Sequence, residues 1–386
     1  MANDGIADHF FGSGVSYSAD GNTALVGASG DNMRQGAAYI FVRSGAAWVQ
    51  HAKLIASDGA PDHYFAGEVA LSADGNTALI GADRINAFTG AVYIFSRSGT
   101  TWAQQAKLTA SDGALDDRFG LAVALSADGN TALIGSTGSD IGDNLSQGAA
   151  YVYLRSGATW TQQAKLTASD GGFDEVFGTA VALSANGDIA LISAKRDDID
   201  DADDRGSAYV FRRDASLWTE QAKLIAISTD RLDQFGYDVA LNADGTTALI
   251  STIANANESG AVSVFTQIGG VWTEQTQIVA YDAAPVDYFG WSLALNAAGD
   301  VALIGSNSND AYPNGFTNQG AAYVFMLVGG TWVQRIKLLA TDGASYDYFG
   351  DSVSLNEAGS EALISAWGVD VGENMQLGAA YVFDLP

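Results

Sequence analysis

Seven tandem copies of one unit run the length of this 386-residue chain, each anchored by a Phe-Gly step. The anchors are Phe11, Phe65 (followed by Ala66 instead), Phe119, Phe177, Phe235, Phe289 and Phe349, separated by 54, 54, 58, 58, 54 and 60 residues. After each anchor comes an alternating stretch ending in a turn, as in Val123-Ala124-Leu125-Ser126-Ala127-Asp128-Gly129. A short apolar run, a variable loop, a Gly-Ala-Ala-Tyr-Val-Tyr segment (Gly148 to Tyr153) and a Trp-led run (Trp160 to Leu166) complete the unit. A fixed period of this length marks a stacked or radial architecture in which each copy needs its neighbours. The whole of 1–386 therefore reads as one domain, despite a length that would otherwise suggest several.

Each unit holds four strand-like pieces, a to d in chain order. Strand a alternates small residues with Val and Leu, a period-two pattern suited to a crowded inner position. The a–b turn is Ala-Asp-Gly-Asn in the first three copies (Ala19, Ala73 and Ala127 onward), and Asp-Gly between apolar runs is a strong hairpin signal. Strand c is aromatic and β-branched, a composition that packs on a pleated surface. Strand d alternates, placing Trp102, Gln104, Ala106 and Leu108 on one expected face and Gln105 and Lys107 on the other. Four antiparallel strands repeated seven times predict an all-β, seven-bladed β-propeller; an open β-solenoid is the alternative. The outer-strand Trp occurs six times (Trp48, Trp102, Trp160, Trp218, Trp272, Trp332), and the chain ends just after the seventh strand c. The last blade should thus have three strands and an unpaired edge open to another chain.

Composition narrows the partners. With 45 acidic against 18 basic residues the formal charge is −27, which repels nucleic acid and anionic lipid and attracts cations and basic partners. The absence of Cys excludes disulfides and thiolate chemistry. No apolar run approaches membrane-spanning length. The chain opens in mid-repeat at Met1-Ala2-Asn3-Asp4 without a leader, which suggests an excised segment.

The Phe-Gly anchor, the Leu-Ile-Gly-Ala run and the Gly-Ala-Ala-Tyr-Val-Phe strand resemble bacterial FG-GAP repeat proteins, relatives of the propeller in the integrin α-subunit head. The resemblance covers residues 3 to 386. It implies an extracellular or cell-surface propeller used for binding, often adhesion, without catalysis. Integrin-type copies carry a calcium motif, Asp-x-Asp-x-Asp-Gly-x-x-Asp, in the a–b hairpin. Here that hairpin shrinks to Ser72-Ala73-Asp74-Gly75-Asn76-Thr77, whose single acid cannot supply the six to eight oxygens calcium takes. Asp74 and its equivalents therefore read as turn residues.

In a propeller the d–a and b–c connections share one face. The d–a connections carry repeated acids (Asp4/Asp8, Asp58/Asp62, Asp112/Asp116, Asp170/Asp174, Asp282/Asp287, Asp342/Asp347), while Arg43, Arg97, Arg155, Arg212 and Arg213 belong to the opposite face. The first face should be strongly acidic. Loop capping explains repeated Asp-Gly steps; cation binding by some copies is the sharper alternative. The b–c loop of copy four concentrates acids at Asp197, Asp198, Asp200, Asp201, Asp203 and Asp204, a density of hard oxygens that suits Ca²⁺ if the loop is more than a solvated acidic run. Two Trp residues break the repeat, Trp291 after the copy-six anchor and Trp367 at the start of the copy-seven b–c loop. With Tyr237, Tyr312, Phe316, Asp310 and Asp370 they could form a stacking platform for a sugar or a peptide side chain, or merely cap the channel. His9 and His63, beside Asp8 and Asp62, read as surface substitutions. No Gly-x-Ser-x-Gly, His-Glu-x-x-His or phosphate-binding Gly loop occurs.

The expectation is a non-enzymatic extracellular binding propeller for a protein or carbohydrate ligand, with no required cofactor and Ca²⁺ as an option. A polysaccharide-active enzyme on the same scaffold would instead need a non-repeating cluster of acid, base and aromatic residues in one pocket. A purely structural segment of a larger adhesin is the third alternative.

Overall fold

In the a–b turn the Asp side chain does the folding work. Asp74 accepts from Ser72 Oγ at 2.6 Å and from the Asn76 backbone N–H at 2.9 Å, and the Ser72 hydroxyl in turn accepts from Thr77 N–H. Asp20 and Asp128 repeat the arrangement. In copies six and seven, where Ala298 and Ala358 replace the Asp, Asn296 and Asn356 accept the turn N–H groups instead, and in every copy the turn joins strand a to strand b as an antiparallel pair.

A computed structural model describes residues 1–200, 202–228, 232–254, 258–310 and 317–386. Six sheets contain four antiparallel strands in the order a-b-c-d, and the seventh contains three. Blade 3 is representative, with strands Val123–Leu125, Thr131–Ser136, Ala149–Ser156 and Thr159–Leu166. Blade 7 consists of Val353–Leu355, Glu361–Ala366 and Ala379–Asp384. The a–b turns close the ring themselves. Ala19 N–H donates to Ala73 O, Ala73 to Ala127, Ala127 to Ala185, Ala185 to Ala243, Ala243 to Ala297, Ala297 to Glu357, and Glu357 back to Ala19, at 2.8–3.2 Å. That circle excludes an open solenoid.

The apolar cores lie between blades, one for each of the seven neighbouring pairs. Each is centred on an anchor Phe that is essentially unexposed. Phe119 meets Tyr151 and Tyr153 edge-on, with centroids 5.4 and 6.1 Å apart. The glycine that opens strand c explains why Phe-Gly and Gly-Ala recur together. Gly148 pairs with Phe177 of the next blade, and a Cβ there would fall on the Phe177 carbonyl oxygen. Its φ of 88° is also one that side chains disfavour.

One expectation fails in strand d. Every c–d pair shifts register at the same place, as between Ile94 and Phe95, where Gln105 is the extra residue. The bulge reverses the alternation. Trp102 therefore packs back on blade 1, whereas Ala106 and Leu108 pack forward on blade 3.

Candidate functional site

Opposite the closed ring, the propeller axis opens into a funnel of about 480 Å³. Its wall is made by the two residues that follow each Phe-Gly or Phe-Ala step. The second of the two is small in most copies, as at Gly14, Ala122, Ala180, Ser292 and Ser352, which lets seven strands converge. Glu68 and Asp238 break that rule, Leu121, Tyr237, Trp291 and Asp351 are large first residues, and Lys195 joins them from the blade-4 b–c loop. Six charged or aromatic side chains from blades 2, 4, 5, 6 and 7 thus share one cavity.

Their electrostatics are strongly perturbed. Enclosure by the walls, then repulsion from Asp238, Asp351 and Asp83, raises the Glu68 carboxyl to about 8. Its side chain still reaches funnel water, which screens the first effect, so the like charges are the firmer cause. No hydrogen bond to the Glu68 carboxylate occurs among the described residues. Burial raises Asp238 to about 7, although its two oxygens accept from Val239 N–H at 2.8 Å and Leu293 N–H at 2.7 Å. Asp351 is pushed by burial to about 6, against hydrogen bonds from Asn307, Trp367 and Trp291. Burial, then Arg196, lowers the Lys195 ammonium, which sits 4.8 Å from the Tyr237 ring centroid.

The two irregular Trp residues therefore converge on one carboxylate. Trp291 leans on Tyr237 with centroids 4.9 Å apart. Trp367 stacks on Tyr348 at 4.8 Å and 3°, with Phe10 against its edge, and lines a shallow annex beside Asp351. Phe10 and Tyr348 precede anchors, as do Tyr64, Arg118, Val176, Gln234 and Tyr288, and all seven have φ of 51–57°. Such a conformation is costly for bulky residues, and here it turns a ring of side chains toward the rim.

Other singled-out residues have different roles. Asp310 and Asp370 are exposed and accept from Asn318 and Gln376 N–H at 2.9 and 2.8 Å, closing their own loops. Asp198 does the same for Asp204 N–H. Asp197 is buried and held by Ser207, by Tyr209 at 2.9 Å and by Lys223 at 2.7 Å. Exposed Asp200 faces Arg205 at 3.5 Å. Among the described residues no three His, Cys, Asp or Glu side chains are grouped to hold a metal. Tyr312, Phe316 and Asp201 lie outside the described residues.

The d–a acids are largely structural. Asp112 accepts from Tyr151 at 2.9 Å and from Lys165 at 2.7 Å; Asp4, Asp58 and Asp170 repeat this clamp with Tyr39 and Lys53, Tyr93 and Lys107, Tyr209 and Lys223. Asp282 binds Lys337 likewise. Bases stand among the acids of that face: Arg84, Arg118, Lys195 and Arg196 lie there, with Arg84 3.8 Å from the Tyr64 ring centroid. His9 is not a surface residue. It is fully buried, 3.1 Å from both Asp31 and the Tyr39 hydroxyl.

A larger cleft of about 610 Å³ lies at the periphery between blades 5 and 6, but no acid or base lines it. The funnel is where the chemistry concentrates. Glu68, Asp238 and Asp351 were missed because each acid is unremarkable within its own strand. Comparing the positions after the anchors as columns would have revealed them.

A closed ring of seven antiparallel blades with one irregular axial funnel defines a β-propeller of the binding or scaffold class. More narrowly, the chain belongs to the FG-GAP repeat family, matched at residues 1–41, 48–95, 102–153, 160–211, 218–265, 272–325 and 332–383. Propellers of this family are typically non-enzymatic, and its repeats are typical of extracellular proteins. No curated protein matches the chain. Among the described residues no helix is long and apolar enough to cross a membrane.

Proposed function

We propose that this is an extracellular, non-catalytic binding propeller whose axial funnel receives a cationic group, such as a Lys or Arg side chain presented by a protein partner. The observation that carries the reading is convergence: the side chains that depart from the repeat meet at one place. Among the described residues Glu68 has no counter-ion of its own, while Asp238 and Asp351 add negative potential and Trp291 offers an aromatic surface. Carboxylates and an aromatic face together favour ammonium and guanidinium groups. Lys195 over Tyr237 is an internal example of that contact.

The test is calorimetric titration with short peptides bearing a central Lys, Arg or norleucine. Binding of the charged peptides only, lost in E68Q and kept in the opposite-face variant D74N, is expected. Equal binding of the norleucine peptide, or E68Q binding normally, would refute it. Salt-independent binding of neutral oligosaccharides would reassign the funnel to carbohydrate.

A further inference from the structure

We infer that the peripheral cleft between blades 5 and 6 is a binding site for a neutral oligosaccharide, separate from the axial funnel. It opens at a seam that neighbouring blades close. Between blades 2 and 3 the indole N–H of Trp160 donates to Gln105 at 3.3 Å, and between blades 3 and 4 that of Trp218 donates to Gln163 at 3.0 Å. Gln275 and Trp332 hold the corresponding places in blades 5 and 6. Gln275 instead gives its amide to Thr273 Oγ1 at 2.7 Å, and neither its side-chain oxygen nor the Trp332 N–H has a partner among the described residues. Gln221 turns to Thr219 in the same way, but there the Trp272 N–H is sealed from solvent. At the blade 5–6 seam both residues line about 610 Å³ of open space. A donor and an acceptor left open in one cleft suit a group that is both, and a hydroxyl is such a group.

Two aromatic rings are free there as well. In blades 1, 2 and 4 an Arg stands across from the outer-strand Trp and covers its ring. These are Arg43, Arg97 and Arg213, with guanidinium carbons 5.0, 5.9 and 5.5 Å from the ring centroids. Blade 6 sets Leu327 across from Trp332, and no cation covers that ring among the described residues. Tyr281 is 75% exposed and lines the same cleft, at a position that holds Ser57, Ser111, Ser169, Ile227 or Thr341 in other copies. The clamp Lys is gone too: Gln277 replaces it, with Ser263 in place of the Tyr. These departures take charge away and leave rings open along one seam.

In a chain of net charge −27, so large a cleft without an acid or base selects against ions. Its volume falls in the range of small-ligand sites, about 300–1,000 Å³. The flat face of a pyranose stacks on an indole or phenol ring, and its hydroxyls donate and accept without needing a counter-charge. An apolar peptide side chain would fill the cleft but strand the Trp332 N–H and the Gln275 oxygen, and polar groups buried unpaired are costly.

The test is calorimetric titration of the intact protein with neutral di- and trisaccharides of glucose, galactose, mannose and N-acetylglucosamine, at low and high salt. Saturable, salt-independent binding of at least one sugar is expected. L327R, which restores the Arg of blades 1, 2 and 4 over the ring, should weaken that sugar about tenfold. Y281S, which restores the residue of three other copies, should weaken it severalfold. Both side chains are exposed, and an unchanged Tm checks the fold. E68Q should leave sugar binding intact, whether or not Lys peptides bind the funnel. No saturable sugar, or a sugar that L327R and Y281S bind as wild type does, would overturn the inference. A sugar lost in E68Q would place it in the funnel instead, and an apolar peptide binding where no sugar does would assign the cleft to a protein partner.

Discussion

Replacing Glu68 by Gln should stabilise the protein at alkaline pH while abolishing recognition in the funnel. Gln preserves shape and removes the charge, and among the described residues the carboxylate has no hydrogen bond to lose. A carboxyl displaced from 4.5 to about 8 would correspond to about 5 kcal/mol opposing its ionisation in the fold. The side chain touches funnel water, however, and screening reduces the expected gain to about 1–2 kcal/mol. The sign follows from linkage. A carboxyl whose folded pKa is raised contributes stability that is complete below its unfolded value and is lost as pH rises through the folded one. Wild type should therefore lose stability between about pH 4.5 and 8, and E68Q should lose less. Thermal scans at pH 4.5 and pH 9 are the assay: no difference at the lower pH, and a Tm higher by roughly 2 °C in E68Q at the upper. An E68Q protein that is equally stable at pH 9, or less stable, would refute the claim that the funnel stores like-charge repulsion. Such storage is what a preformed site for a cation costs when empty.

Three further outcomes are expected. Asp4, Asp58, Asp112, Asp170 and Asp282 are each pulled up by burial but lowered overall by their clamp partners; their contribution is present above the unfolded value of 3.8 and is lost as pH falls further, so Tm should drop below about pH 4, and K165M should shorten that drop by less than about 1 kcal/mol because the pair is half-exposed. Gly148→Ala should cost about 3 kcal/mol or more in urea unfolding, since the backbone of Phe177 stands where the methyl group would go; a loss below about 1 kcal/mol would show that the blades can slide apart. Asp197→Ala should cost about 1–2 kcal/mol by removing the buried acceptor of Ser207 while Asp170 still holds Lys223 and Tyr209, whereas Ca²⁺ should leave Tm unchanged; a calcium-dependent rise of several degrees, lost in D198A, would make the copy-four loop a cation site instead.

Much of the architecture was legible one residue at a time. The period, the Asp-Gly turns, the aromatic strands and the missing seventh outer strand are local signals, because turn chemistry and side-chain alternation act over a few residues. The turn role of Asp74 is equally local. Strand d shows where this reasoning stops. Its alternation is broken by a bulge at Gln105, and the bulge answers the geometry of two neighbouring blades rather than any preference of the residue.

The candidate site is a tertiary creation. Glu68, Lys195, Asp238, Trp291 and Asp351 stand far apart along the chain, and each occupies a position that merely happens not to hold Gly, Ala, Ser or Thr. Closure of the ring projects those positions onto one axis, where charges that would be indifferent on separate strands repel one another and shift. His9 changed meaning for the same reason: Asp8 before it is polar and exposed, but the fold places Asp31 and Tyr39 around it. The amino-acid sequence alone thus determines a seven-fold ring of sheets, since every blade repeats the same local instructions. What the ring holds at its centre is decided by the departures from repetition, and only the closed structure brings them together.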